Sequence, residues 1–248
     1  MPQALNRRWL LAVAILCLAA ALPSRALLLR AGTQKQKKTA PAPAGILAAD
    51  KGKLRILLSG QPVGTEEFEV AASGESWMAR GSVELKPATG APAQVTSALR
   101  LQPDGTPLSY EWTARAGKKY GAQILFENGV AKINQEVEGA KPFQQELTFA
   151  SPRIAVLDNN VYHHYAILAR LYDWLKRGAQ TFPVLIPQDF NTPGTITVEA
   201  TGTKTAAGQS YAGLRVSTAD LEVLLYLDAG HRLMRLEVPA ANVVVVRE

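Results

Sequence analysis

The side chains able to do chemistry in this chain are few, and they gather near one place. His163 and His164 are adjacent, Asp158 shortly precedes them, and His231 is the only other histidine. Neighbouring side chains on a helix diverge by roughly 100°, so the two histidines cannot both serve one metal ion without ligands from elsewhere. A zinc set of Asp158, His164 and His231 can be drawn, but its spacing follows no short-range ligand pattern, and no metal is expected. An acid–base reading would pair His163 or His164 with Asp158, as in a hydrolase-type enzyme or an accessory domain of one. Asp158, Asp173 and Asp189 read more simply as caps and turn acids. The lone cysteine, Cys17, falls in an N-terminal apolar run. There is no Gly-x-Ser-x-Gly elbow and no Gly-x-x-x-x-Gly-Lys-Ser/Thr phosphate loop. No catalytic residue is assigned, and no cofactor is expected.

The histidines belong to the one helix expected outside the leader, over 159–177. Val161, Tyr165, Leu168, Tyr172 and Leu175 recur at a spacing that keeps them on one face, widened by His164, Ile167, Leu171 and Trp174. His163, Arg170, Asp173 and Arg177 fall on the opposite, wet face. Asp158, Asn159 and Asn160 suit the start, Lys176 and Arg177 suit the negative end, and Gly178 can take the left-handed conformation that stops it.

Ahead of the domain, residues 1–26 read as a secretory signal. Arg7 and Arg8 precede an apolar run from Trp9 to Leu22 that is short of the roughly 20 residues a bilayer span needs. Ser24-Arg25-Ala26 sets cleavage before Leu27; an uncleaved inner-membrane anchor is the alternative, since Ala26 to Leu29 prolongs the run. The expected location is therefore exported, periplasmic or extracellular. Residues 27–49, rich in Lys, Ala and Pro, read as a flexible basic tether.

Charge follows the same division. The chain of 248 residues has a formal net charge of +6, from 27 Lys and Arg against 21 Asp and Glu. Residues 1–45 hold seven of those bases and no acid, which leaves 20 against 21 for the remainder. A near-neutral domain gives no ground for a nucleic-acid surface. Membrane contact is expected only through an uncleaved leader or weak attraction of the tether to anionic lipid.

Residues 50–248 then form a single β-rich domain. Leu54, Ile56 and Leu58 alternate with polar residues, as do Val95, Leu99 and Leu101, then Leu108, Tyr110 and Trp112. Tyr120, Ile124 and Phe126 continue the pattern, followed by Ile133 and Val137, then Phe143, Leu147 and Phe149. A period of two with polar residues between means strands with one face buried, which favours antiparallel pairing. Asn128-Gly129, Asp104-Gly105 and Asp228-Ala229-Gly230 are among the turn signals between these runs. Leu221 to Leu227 is apolar on both faces and is expected to be covered twice, by the sheet interior and by the helix. Val243 to Val246 reads as an inner strand. The fold class is mainly β: a wide curved antiparallel sheet, half-barrel-like, with one long helix packed on its concave face.

Four phrases carry a resemblance: Leu58-Ser59-Gly60-Gln61-Pro62-Val63-Gly64-Thr65-Glu66-Glu67-Phe68, Asp104-Gly105-Thr106-Pro107-Leu108-Ser109-Tyr110, Leu157-Asp158-Asn159-Asn160 and Asp228-Ala229-Gly230-His231-Arg232-Leu233. They are similar to those of uncharacterised bacterial exported domains, which resemble in outline the lipoprotein-carrier (LolA-like) β half-barrels of the cell envelope. The resemblance implies an apolar cavity for acyl chains closed by helices. Tyr165, Leu168, Tyr172, Trp112 and Tyr226 are the residues expected to line it, since ligand pockets are mostly apolar; large rings that fill the core are the competing account. The expected role is a non-enzymatic envelope domain binding a lipid-like molecule or an envelope protein partner.

Overall fold

The computed structural model describes residues 45–86 and 92–248. The expected leader, and the tether up to residue 44, lie outside the described residues. The chain is already tied down at Ile46, whose N–H donates to Pro103 O at 3.0 Å, and Leu47 is buried.

Among the described residues, fifteen strands make one sheet. The first eight run as a meander: β1 (Asp50–Leu58), β2 (Gln61–Ser73), β3 (Ser76–Leu85), β4 (Ala93–Leu101), β5 (Pro107–Ala116), β6 (Lys118–Glu127), β7 (Val130–Val137) and β8 (Phe143–Thr148). After β9 (Ala155–Val156) and the helix α1 (His163–Leu171) comes a second meander. It comprises β10 (Ala179–Ile186), β11 (Asp189–Ala206), β12 (Gln209–Ser217), β13 (Glu222–Leu227), β14 (Leu233–Val238) and β15 (Val243–Arg247). Antiparallel pairing of β15 with β1 joins the two meanders, giving the order β8 to β1, then β15 down to β9. Only β9 is parallel to its neighbour, β10, with α1 as the crossover between them.

Alternation places the core on the concave face. Val70, Ala79, Leu99, Tyr110, Ile124 and Ile133 are successive cross-strand partners, and together they form an apolar belt over six strands. The valine run is an inner strand: Val243 and Val245 are buried inward, while Val244 and Val246 are half-buried on the outer face. The expected double cover of β13 is corrected. Leu224 and Tyr226 are half-buried on the outer face, opposite the buried Val223, Leu225 and Leu227, and it is the inward set that the interior covers.

The regular helix occupies nine residues within the expected 159–177 span. Asp158 Oδ1 accepts from Asn160 N at 3.0 Å, which holds the preceding chain in an Asx turn. Tyr172 is extended (ψ 126°) and ends the helix. Asp173 Oδ1 then accepts from Leu175 N and Lys176 N, starting a separate turn. This break changes the phase, so Leu175, expected to face inward, is 96% exposed. Arg153 Nη2 donates to Leu171 O at 3.4 Å, satisfying a terminal carbonyl from outside the helix.

Candidate functional site

The start of α1 is held by an acid from a distant strand. Glu66 lies on β2 in phase with Phe68 and Val70, so it points inward with them while Glu67 and Glu69 face water. Its Oε2 accepts from Tyr162 N at 2.8 Å and its Oε1 from His163 N at 3.3 Å. These are first-turn N–H groups that the helix itself leaves unpaired. Oε1 is also 2.5 Å from His163 Nδ1; with the carboxylate accepting from the main chain as well, Nδ1 is the donor. His163, expected on the wet face, is fully buried, and its ring stacks on Phe68 at 5.5 Å. Gly81 makes room for it, since a Cβ there would sit 2.6 Å from His163 Cε1.

His164 stands edge-on to His163 at 4.7 Å between ring centroids and to Tyr110 at 5.2 Å. The Tyr110 hydroxyl donates to Asp158 Oδ2 at 2.8 Å. A buried row of polar side chains thus runs Glu66, His163, His164, Tyr110, Asp158, none more than 3% exposed. Burial, then the neighbouring His163, hold His164 well below the usual histidine range. Burial raises the Asp158 carboxyl, against the hydrogen bonds from Asn160 and Tyr110. Tyr110 is pushed well above the usual phenol range, first by burial and then by Asp158. Hydrogen bonds join Glu66 to His163 and Tyr110 to Asp158, while His164 between them meets His163 and Tyr110 through ring contacts only; a substrate would have to lift the helix start to touch the row.

The other sequence-expected residues are dispersed. Leu168 (1% exposed), Tyr172 (2%) and Trp112 (3%) are core, and the Tyr172 hydroxyl donates to Gly178 O. Tyr165 is half-buried, its phenol pushed up to about 12 by burial. Tyr226 is on the outer face, where its hydroxyl donates to Glu237 Oε2 at 3.0 Å and Arg235 lies over its ring. These five therefore do not converge on one cavity. Beneath α1, the cavity lined by His164, Leu99, Ile167, Leu168 and Leu171 is about 10 Å³, room for about one water. His231 stacks on Trp174 at 4.0 Å, outside the buried row, and among the described residues no three His, Cys, Asp or Glu are placed to hold a metal.

Glu66, Gly81 and Tyr110 were missed as site residues. The signal for Glu66 was its phase: an acid in register with inward Phe68 and Val70 has to be satisfied inside. At the end of the sheet where β5 turns into β6 and β7 into β8, Val137 (41% exposed) and Phe143 (52% exposed) reach water from the inner face, although alternation placed them in the core. Tyr120 is the cross-strand partner of Val137 and packs edge-on against Trp112 at 5.5 Å. At the same strand ends, but towards the outer face, a hollow of about 310 Å³ is bordered by Lys86 and by Glu84, Gln94 and Arg115, which alternate with the buried Val83, Val95 and Ala114.

No protein-family model matches the chain, and no curated protein sequence matches it significantly. Among solved structures, a β-barrel-like protein of Domain of Unknown Function DUF1849 from Brucella abortus is similar in fold, with a TM-score of 0.54 at 7% identity, over 84% of this chain and 97% of that one. A DUF1089 family protein from Pseudomonas aeruginosa gives a TM-score of 0.44 at 9% identity, over 86% and 97% of the two chains. The likeness to the first is one of architecture: this chain has a β-barrel-like fold, a wide antiparallel sheet curved round the helix α1.

Proposed function

We propose that the chain is an exported, non-catalytic domain of the cell envelope that binds an apolar, lipid-like molecule at the open end of its half-barrel. The observation that carries this reading is the exposure of Val137 and Phe143 on the concave face, Val137 paired with Tyr120 and Phe143 with the adjacent Gln135, and Tyr120 backed by Trp112. Inward-facing apolar groups left in water favour whatever covers them. The apolar run of residues 9–22 supports export, and turn phrases similar to those of exported domains that resemble lipoprotein-carrier half-barrels in outline support an acyl-chain ligand. Of the residues expected from sequence, Trp112 lies nearest this patch; Leu168 and Tyr172 serve the core.

Native mass spectrometry of the full chain from an exporting host, followed by solvent extraction, tests the reading. A co-purifying lipid or fatty acid is the expected result. Phe143→Ser should weaken uptake of the fluorescent probe N-phenyl-1-naphthylamine several-fold while leaving the melting temperature nearly unchanged. An empty protein whose probe uptake ignores Phe143→Ser would end the lipid reading and leave a protein partner on the same patch.

A further inference from the structure

Two fully buried, adjacent imidazoles at the start of α1 have no part in the binding just described. Three of their four ring nitrogens, His163 Nε2 and both of His164, meet no group in hydrogen-bonding geometry, although the Val156 main chain leans the His164 ring towards its charged form. A buried polar atom without a partner is uncommon in a folded protein and calls for a reason.

We propose that the His163–His164 pair is a proton-operated latch that releases the segment Leu157–Tyr172 from the sheet on acidification. The segment is held to the first meander by side chains. Glu66 of β2 accepts from Tyr162 N, His163 N and His163 Nδ1, and Tyr110 of β5 donates to Asp158. Near this end it is tied to the second meander by Leu157 N to Leu185 O, at 3.0 Å, and by Asn159 N to Gln188 Oε1, at 3.2 Å. The polar anchors to the first meander thus gather around the histidines, while Arg153 to Leu171 O and the Tyr172 hydroxyl to Gly178 O hold the far end of the segment.

The titratable groups facing the pair are Glu66 from β2, Tyr110 from β5, Asp158 from the loop before α1, and Tyr162 and Tyr165 from the helix start. Glu66 is taken up by His163 and two main-chain N–H groups, and Asp158 by Tyr110 and Asn160, so a charge on His164 would find no carboxylate of its own, only the Val156 main chain. While the segment is docked, His164 stays neutral. Once released into water it binds a proton at the ordinary histidine value of 6.5. The released state thus holds more protons just below that value, and docking, complete above it, weakens as the pH falls towards the depressed value of the docked ring. Each pH unit within that window favours release about tenfold for one proton. Asp158 works the other way. Its raised carboxyl takes up a proton in the docked state more readily than in water, which favours docking as the pH drops towards the carboxylate range.

Hydrogen exchange on the full chain, corrected for intrinsic rates and followed from about pH 7.5 to 5, reads the latch directly. Opening at the amides of residues 161–171 should rise by about tenfold per pH unit below 6.5, while the belt strands β3 to β6 keep their protection. In His164→Leu that rise should vanish. Opening that stays flat with pH, or a rise of the same slope in His164→Leu, would overturn the proposal. Should His164→Leu not fold, the ring C2–H resonance of His164 in the unsubstituted protein decides. It should stay at its neutral position below 6.5 and move only together with the helix amides. Titration near 6.5 with the helix amides unchanged would count against the latch.

Discussion

A glycine and an acid decide what the buried row can be. An interior strand glycine costs conformational entropy and packs nothing, yet Gly81 faces the core between Ala79 and Val83. The reason is clearance, because a Cβ there would lie 2.6 Å from His163 Cε1, 2.8 Å from His163 Nδ1 and 3.1 Å from Glu66 Oε1. Gly81→Ala should therefore destabilise by about 1–3 kcal/mol in a urea melt, as an overpacked core does. In a His163→Ala background the same change should cost much less, giving a clear coupling energy in the double-mutant cycle. Equal costs in both backgrounds would show that the notch does not serve the ring. None of this follows from composition. A single inward acid at Glu66 was visible as a break in an otherwise apolar phase, but its partners are 96 and 97 positions away and no local pattern announces them.

At the scale of the element, the helix shows where local reading stops. Its apolar stripe was legible, and Ile167, Leu168 and Leu171 are buried as the spacing requires. Its ends were not, because they are set by tertiary partners. Glu66 caps the start in place of a local side chain, Arg153 meets the last carbonyl, and Asp173 gathers its own turn instead of continuing the stripe. His163 was assigned to water on periodicity alone, and an acid brought up by β2 turned that position inward. The stripe and the break can be tested together. Leu168→Ala should cost about 2–5 kcal/mol as a buried cavity substitution, whereas Leu175→Ala, beyond the break, should stay within about 0.5 kcal/mol. Thermal melts giving Leu175 a cost comparable with Leu168 would restore one continuous helix and dismiss the turn at Asp173.

For the whole molecule, alternation made the two meanders legible, since each strand pairs with its neighbour in sequence. What joins them was hidden, because β1 meets β15 across nearly the whole domain. The join is secured by Arg247, whose Nη1 and Nη2 donate to the two Asp50 carboxylate oxygens at 3.1 and 2.6 Å and whose Nη2 also donates to Lys51 O at 2.7 Å. Its guanidinium lies over Phe68, and Gly52 leaves space for it, since a Cβ there would sit 2.8 Å from Nη2. Phe68 in turn stacks on His163, so the closure of the sheet and the seat of the helix share one ring. Both side chains of the ion pair are nearly buried, at 9% and 10% exposure. Removing one partner strands the other charge, which typically costs about 3–5 kcal/mol, although such a pair adds little over an apolar substitute. Arg247→Ala should therefore lower the urea midpoint markedly, and Arg247→Lys should recover only part of the loss, because an ammonium cannot make the forked contact. Arg55→Ala is the control: its pair with Glu248 is at 52% and 38% exposure, and exposed pairs contribute at most about 1 kcal/mol. If Arg247→Ala proves as mild as Arg55→Ala, the two meanders are held by the β1–β15 ladder and its inward valines alone, and the arginine is an ornament on a join the backbone already makes.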